Sequence, residues 1–137
     1  MLNFDVNWLG IILAVVASMA LGMIWYMVLA RHWIAATGKK AEQLPGPGSN
    51  AMPFAYGAVC QLVMAFFIAS LTPVLAGGVV DPYNGALVGA MLWFGFILTS
   101  MMISHRYQNM SWKLTVIDGG YMLGVVLVQS MVIGLMG

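Results

Sequence analysis

The chain alternates between long uncharged stretches and short polar segments. The uncharged stretches cover residues 6–30, 43–80, 82–104 and 119–137. Each is close to, or longer than, the roughly 20 apolar residues that a helix needs to cross a bilayer. The pattern therefore predicts an all-α, integral membrane four-helix bundle. Its spans are expected at about residues 8–30, 53–73, 82–104 and 114–136, in one transmembrane domain that covers residues 1–137.

Local signals mark where two of these helices begin. Pro53 suits the first turn of the second span, because the first N–H groups of a helix need no helical partner. Asp81 is a good N-terminal cap for the third span, with Pro82 in its first turn. Between the first two spans, residues 44–50 (LPGPGSN) predict a turn or mobile loop. The first span is too long for a signal peptide and no basic segment precedes it, so we expect it to remain as a helix.

Composition excludes several classes of protein. The chain is 62% hydrophobic and 7% charged, with a mean hydropathy of +0.94, and four spans leave no room for a soluble catalytic domain. The sequence contains no serine nucleophile elbow, phosphate-binding loop or pair of catalytic carboxylates, so an enzyme is not expected. The single cysteine, Cys60, cannot form an intrachain disulfide. A net charge of +1 gives no indication of a nucleic-acid partner.

The basic residues predict the orientation of the chain. They all lie in the loops after the first and third spans: Arg31, Lys39, Lys40, Arg106 and Lys113. The second loop and the terminal segments carry only Asp5 and Asp81. By the positive-inside rule, the first and third loops face the cytoplasm and both termini face outward. The expected location is a bacterial inner (plasma) membrane, which the chain crosses several times.

Small residues recur every four positions on three of the predicted helices. The sets are Gly10, Ala14, Ser18 and Gly22; Gly85 and Gly89; and Gly120 and Gly124. This spacing lets helix backbones approach closely in a membrane, either within one chain or between chains. Four helices of this size enclose little volume, so we expect any pore or large pocket to form between subunits. A homo-oligomer in the lipid bilayer, built through these faces, is the expected assembly.

Asp118 is the only charged residue inside a predicted span. With Lys113 at the membrane surface, Asp118 lies about 7 Å deeper, at about 1.5 Å per residue. Carboxylates at this depth are costly and are candidates for function by default. Asp118, Tyr121 and Gln129 share one helix face, and Gln61 of the second span lies at a depth where it can meet them. This face predicts either a polar path that enters from the cytoplasm or a set of interhelical hydrogen bonds.

The surroundings of Asp118 are open to two interpretations. Thr99 lies at the same depth on the third span, and Arg106 or Arg31 is within reach for an ion pair. The alternative is structural. Thr115 and Asp118 have the spacing of a capping box, in which Asp118 stabilises the start of the fourth helix.

A metal site is not expected. His32 and His105 lie at the same level, but no third ligand accompanies them at a suitable spacing. The stripe of Met19, Met23 and Met27 is better explained by flexible packing than by copper(I). We therefore expect neither a metal nor another cofactor.

Three short motifs resemble the signatures of a known family. They are residues 22–26 (GMIWY) followed by Trp33 and Gly38, residues 92–96 (LWFGF) followed by Thr99, and residues 113–121 (KLTVIDGGY). The order and spacing of these motifs resemble those of an uncharacterised bacterial membrane family, catalogued as domain of unknown function 1761. The resemblance spans nearly the whole chain and implies a four-span bundle. It marks Trp25, Tyr26, Asp118 and Tyr121 as residues of interest and implies no activity.

Two functional hypotheses are open at this point. The first is a small oligomeric protein that binds or transports a small solute or ion at a cytoplasm-facing site. Asp118 would bind a cation or proton there. The other candidate residues of this site are Arg106, Tyr121, Trp25, Tyr26, Thr99, Gln61 and Gln129. The second is a structural or accessory protein that assembles with itself or a partner, with Asp118 as a helix cap. Neither hypothesis includes a catalytic residue.

Overall fold

The computed structural model describes residues 5–39 and 52–136, and every regular element among them is helical. Four helices are long and apolar enough to cross a membrane: Trp8–Val28 (α1), Met52–Leu75 (α3), Pro82–Tyr107 (α4) and Trp112–Met136 (α5). A short helix, Ala30–Thr37 (α2), follows α1. The predicted all-α membrane fold is confirmed, and the chain is a multi-pass membrane protein. Lys40 and the predicted loop at residues 44–50 lie outside the described residues.

The first span ends earlier than the sequence predicted. Leu29 leaves the helical conformation (φ −101°, ψ 14°), and the chain then continues as α2. Packing explains the break, because Ala36 of α2 forms a buried apolar cluster with Leu114 and Ile117 of α5. Gly38 closes α2 in the left-handed conformation (φ 71°), which is a common helix C-terminal cap.

The third span begins where it was predicted to begin. The Oδ1 atom of Asp81 accepts a hydrogen bond of 2.7 Å from the backbone N–H of Asn84, and Pro82 occupies the first turn. The span extends three residues beyond the predicted end, since it ends at Tyr107 and not at Ser104.

α4 contains a π-helical segment, Trp93–Leu98. A π turn holds more residues than an α turn, so it changes which of the following residues face the bundle. Trp93 contacts α5, whereas the side chains of Phe94 and Phe96 are exposed. Gly95 has open space beside it.

α5 packs more extensively than the other helices, mainly against α1 and α4. Glycines allow the close approach. A Cβ atom at Gly85 would lie 2.7 Å from the carbonyl oxygen of Ser130, and one at Gly134 would lie 2.6 Å from the backbone of Asp81. Other glycines of the predicted small-residue faces also lie against their own chain: Gly10, Gly22, Gly89, Gly120 and Gly124. These faces close the bundle within one chain, and the homo-oligomer itself stays a prediction.

Two buried apolar clusters lie at opposite ends of the bundle. The larger cluster occupies the half that contains the start of α1 and the end of α5: Ile11, Ala14, Ala65, Ile68, Val126 and Ile133. The smaller cluster, formed by Ala36, Leu114 and Ile117, lies where α2 packs on the start of α5. We call this second end the basic end, because Arg106 and Lys113 lie there.

Candidate functional site

Asp118 lies in the second turn of α5, and its carboxylate faces α1. The Tyr26 hydroxyl donates a hydrogen bond of 2.7 Å to its Oδ1 atom. The side chain of Trp33, on α2, also lies close to the carboxylate. The Trp33 ring also packs edge-to-face on Tyr26, with 5.4 Å between ring centroids. The carboxylate is therefore half-buried beneath two aromatic side chains from different helices.

Two tryptophans hold the turn that carries Asp118. The indole N–H of Trp25 donates to the carbonyl oxygen of Ile117 at 3.2 Å. The indole N–H of Trp93 donates to the carbonyl oxygen of Gly119 at 2.9 Å. Each tryptophan thus makes a specific polar contact with the backbone of α5.

Tyr121 lies one turn further along α5 and contacts Tyr26 edge-to-face, with 5.0 Å between ring centroids. Its hydroxyl oxygen accepts a hydrogen bond of 2.8 Å from Nε2 of Gln61. Gly22 makes room for this hydroxyl, because a Cβ atom there would lie 2.9 Å from it. Gly22 and Tyr26, one turn apart on α1, thus lie against Tyr121 and Asp118, one turn apart on α5.

A polar network continues from Tyr121 into the middle of the bundle. The Ser18 hydroxyl donates to Oε1 of Gln61. The Gln129 amide donates to Ser18 Oγ and to the backbone oxygen of Gln61, both at 3.1 Å. Gln129 is 0% exposed, and within the described part of the chain its Oε1 atom has no hydrogen-bond partner. The network therefore ends in an unsatisfied acceptor about 16 Å along α5 from Asp118.

Arg106 does not pair with Asp118, contrary to the sequence-based expectation. Its guanidinium donates to Thr115 Oγ1 at 2.9 Å and to the Ser111 carbonyl oxygen at 3.2 Å. It also stacks over the Trp112 ring, 3.7 Å from the centroid. These contacts hold it against the turn between α4 and α5. Arg31, the other predicted partner, is exposed on α2.

Asp118 does not cap α5, so that prediction was also wrong. The helix begins at Trp112, and Ser111 Oγ accepts the backbone N–H of Leu114 at 3.2 Å. Thr115 lies inside the helix, where its hydroxyl contacts Nδ1 of His105 at 2.7 Å. The earlier start of the helix places Asp118 too far from the free N–H groups for capping.

Thr99 does not join the group around Asp118. It is exposed, and its hydroxyl donates back to the Gly95 carbonyl oxygen at 2.9 Å within the same helix. Two other residues belong to the site but were missed by sequence reasoning: Ser18 and Trp33. The spacing of four between Ser18, Gly22 and Tyr26 was a signal for the first. Nothing in the local pattern indicated that α2 folds back over the site.

Two cavities among the described residues lie away from Asp118. One of about 280 Å³ is at the opposite end, lined by Asp5, Pro73 and Gly77 among others. Another of about 130 Å³ is an apolar groove between α3 and α4, lined by residues that include Phe67 and Leu92. Within residues 5–39 and 52–136, no group of three or more His, Cys, Asp or Glu side chains is placed to hold a metal ion.

Comparison with known proteins identifies the family. Residues 9–134 match the protein family described as "Protein of unknown function (DUF1761)". The chain matches no curated protein and no solved structure. The matched region contains the whole polar network from Ser18 to Gln129, together with nearly all of the four membrane-spanning helices. The resemblance inferred from the sequence motifs is confirmed, and the chain belongs to the DUF1761 family.

Proposed function

We propose that the protein binds or transports a small solute or ion, and that Asp118 carries the charge that holds it. The supporting observation is a carboxylate inside a membrane span whose hydrogen-bond donor is a neutral hydroxyl, that of Tyr26. Among the described residues, no ion pair engages Asp118. Carboxylates at membrane depth commonly mark ion or proton pathways, because an unpaired buried charge is expensive.

The polar network beyond Asp118 supports a ligand-binding role over a purely structural one. Interhelical hydrogen bonds that serve only stability leave few buried groups unpaired, since each such group costs about 1–3 kcal/mol. Here Oε1 of Gln129 has no partner in the part of the chain that the structure describes. This atom is an acceptor that a water molecule or a ligand can use.

The orientation and assembly form part of the proposal. By the positive-inside rule, the basic end and Asp118 face the cytoplasm, and the protein resides in the plasma membrane. We retain the homo-oligomer as the expected assembly. Its contacts would use exposed helix faces, because the glycines described above already pack against their own chain. The proposed role has no catalytic step.

An Asp118→Asn variant tests the proposal. The purified protein is reconstituted in liposomes, and uptake of protons, Na⁺, K⁺ and small organic cations is compared with that of the parent. The matched control is Asp81→Asn, which removes the same charge from a loop and retains a good N-terminal cap. We expect an ion-dependent signal that is lost in Asp118→Asn and kept in Asp81→Asn.

Folding and assembly are checked for both variants by size-exclusion chromatography and helical content. If Asp118→Asn folds, assembles and retains every ion-dependent signal, the site proposal fails. The structural or accessory role would then be the better explanation, without the helix-cap function for Asp118.

A further inference from the structure

We infer that the ligand of the Asp118 site is a proton, and that the Tyr26 hydroxyl positions the carboxylate that takes it. This inference rests on the proposed function and narrows its ligand class. It follows from three features of the site, namely the chemistry of the neighbouring groups, the packing of the rings, and the course of the polar network.

The groups around the carboxylate do not suit a metal ion. Hard cations such as Na⁺, Mg²⁺ and Ca²⁺ are held by several oxygen acceptors. The neighbours of Asp118 are instead hydrogen-bond donors, namely the Tyr26 hydroxyl and the Trp33 side chain. The carbonyl oxygens of Ile117 and Gly119 are engaged by the indoles of Trp25 and Trp93. The described residues thus leave Asp118 as an isolated acceptor.

The packing of the rings does not leave space for an organic cation. Four aromatic side chains near a carboxylate resemble a cation-binding cage in composition: Trp25, Tyr26, Trp33 and Tyr121. Here the rings fill the space themselves. Tyr26 contacts two of them edge-to-face, with 5.4 Å to the Trp33 centroid and 5.0 Å to that of Tyr121. The backbones of Gly22 and Gly120 lie directly against Tyr121 and Trp25, since a Cβ atom would come within 2.9 and 3.1 Å.

A proton needs no cavity. Uptake adds one proton to Oδ2, the carboxylate oxygen to which Tyr26 does not donate, and release returns that proton to water. Tyr26 keeps its own proton and donates to Oδ1 in both states. The titratable groups near Asp118 are Tyr26 on α1, Tyr121 on α5 and His105 on α4, whose Nδ1 atom contacts the Thr115 hydroxyl.

The course of the network indicates that the proton exchanges through the basic end. Further inward, Tyr121 is followed by the Gln61 amide, and an amide does not relay protons readily because it would have to pass through an imidic acid form. Beyond Gln61 and Gln129 lies the apolar cluster around Ile11 and Val126. Water reaches Asp118 more directly at the end that α2 and Trp33 cover.

Labelling with dicyclohexylcarbodiimide tests the inference, because this reagent modifies protonated carboxyl groups in apolar surroundings. The full chain in lipid nanodiscs is labelled over a range of pH, and modified peptides are identified by mass spectrometry. The series is repeated with added NaCl, KCl, MgCl₂ or tetramethylammonium chloride at constant ionic strength. Asp81, which lies outside the spans, should stay unlabelled and reports non-specific modification, and Asp118→Asn is the negative control.

We expect labelling of Asp118 that falls as pH rises and does not depend on which cation is present. In Tyr26→Phe the midpoint of the pH dependence of Asp118 labelling should move to higher pH by about one unit, because the ionised carboxylate loses a hydrogen-bond donor. A Tyr121→Phe variant, which keeps Tyr26, should leave the midpoint near that of the parent. A purely structural effect of ring packing would not distinguish the two hydroxyls in this way.

Infrared spectroscopy gives an independent readout, as a pH-dependent carboxylic acid band that is absent in Asp118→Asn. Protection of Asp118 by one of the added cations would overturn the proton assignment and leave the proposed ion-binding function intact. Absence of both the labelling and the infrared band at every pH would also overturn the proton assignment. A midpoint that does not move in Tyr26→Phe would contradict the positioning role.

Discussion

Trp25 and Trp93 extend from different helices to the same turn of α5 and donate to the carbonyl oxygens on either side of Asp118. A carbonyl oxygen has two lone pairs, so each can accept an indole N–H in addition to its helical bond. The two contacts restrain the position of Asp118 along and around the axis of α5. The backbone that carries Asp118 is therefore held in place by contacts that do not involve Tyr26, which bonds to the carboxylate.

Gly22→Ala should displace Tyr121 from its position beside α1. The added Cβ atom would lie 2.9 Å from the hydroxyl and 3.1 Å from Cε1 of the ring, so the bond from Gln61 would be strained or lost. We expect destabilisation by about 1–3 kcal/mol in equilibrium unfolding in detergent. Gly57→Ala is the control, since its Cβ atom would meet no atom within 4 Å. Equal stability of the two variants would contradict the close packing of Tyr121.

The hydrogen bond between Ser18 and Gln61 should appear as a coupling energy. A double-mutant cycle with Ser18→Ala and Gln61→Leu is expected to give about 0.6 kcal/mol, with an upper bound near 1.7 kcal/mol. Ser70 provides the control, because its hydroxyl donates to Phe66 of its own helix. Ser70→Ala and Gln61→Leu should be additive within about 0.5 kcal/mol. Additivity of the first pair would show that the network does not couple α1 to α3.

Gly85→Ala should be more damaging than Gly22→Ala. Its Cβ atom would lie 2.7 Å from a backbone oxygen, that of Ser130, and a backbone atom cannot rotate away as a side chain can. α4 and α5 would have to separate, and we expect a loss near the upper end of the range for overpacking, about 3 kcal/mol. Gly95→Ala on the same helix is the matched control, with open space around the new Cβ atom. The measurement is thermal unfolding of both variants, and a smaller loss at Gly85 than at Gly22 would contradict this geometry.

Trp33→Ala should speed the access of reagents to Asp118. Edge-to-face packing on Tyr26 contributes about 1 kcal/mol, so its loss raises the population with α2 undocked about fivefold. We expect a similar increase in the initial rate of carbodiimide labelling of Asp118 at a fixed pH. Trp8→Ala, at the opposite end of the bundle, should leave the rate unchanged. Equal acceleration in both variants would indicate general loosening of the bundle and not a cover formed by α2.

The predicted orientation can be tested with two positions on one helix. Tyr83 and Tyr107 lie near opposite ends of α4 and are 73% and 89% exposed. In a Cys60→Ser background, a membrane-impermeant maleimide added to intact cells should label Tyr83→Cys and not Tyr107→Cys, because the basic end is expected inside. The reverse pattern would invert the orientation and place Asp118 on the outer side.

The helices were predictable where local chemistry determines them. Asp81 and Pro82 mark the start of α4 without help from the rest of the chain. The break at Leu29 is different, because it depends on the packing of α2 against α5 and no glycine or proline marks it. The start of α5 was misplaced because Thr115 and Ser111 are both good caps, and only the turn before α5 decides between them.

The site was predictable to the level of a helix face. Helical spacing placed Asp118, Tyr121 and Gln129 together, and the structure brings Gln61 to that face. The hydrogen-bond partner of Asp118 was not predictable from the sequence, because both Tyr26 and Arg106 are within reach of it. Arg106 instead bonds to Ser111 and Thr115, and those contacts depend on the turn between α4 and α5. The predicted membrane depth of Thr99 suggested that it joins the group around Asp118, but depth does not specify which way a side chain points.

The central position of α5 has a consequence for how the protein is made. The first three spans precede α5 in the chain, so α5 is synthesised after them. Until then, the hydroxyl of Tyr26 and the indoles of Trp25 and Trp93 lack the partners they have in the complete bundle. The group of side chains around Asp118 can therefore assemble only once the fourth span is present, and a chain stopped before that span retains three apolar helices but lacks Asp118.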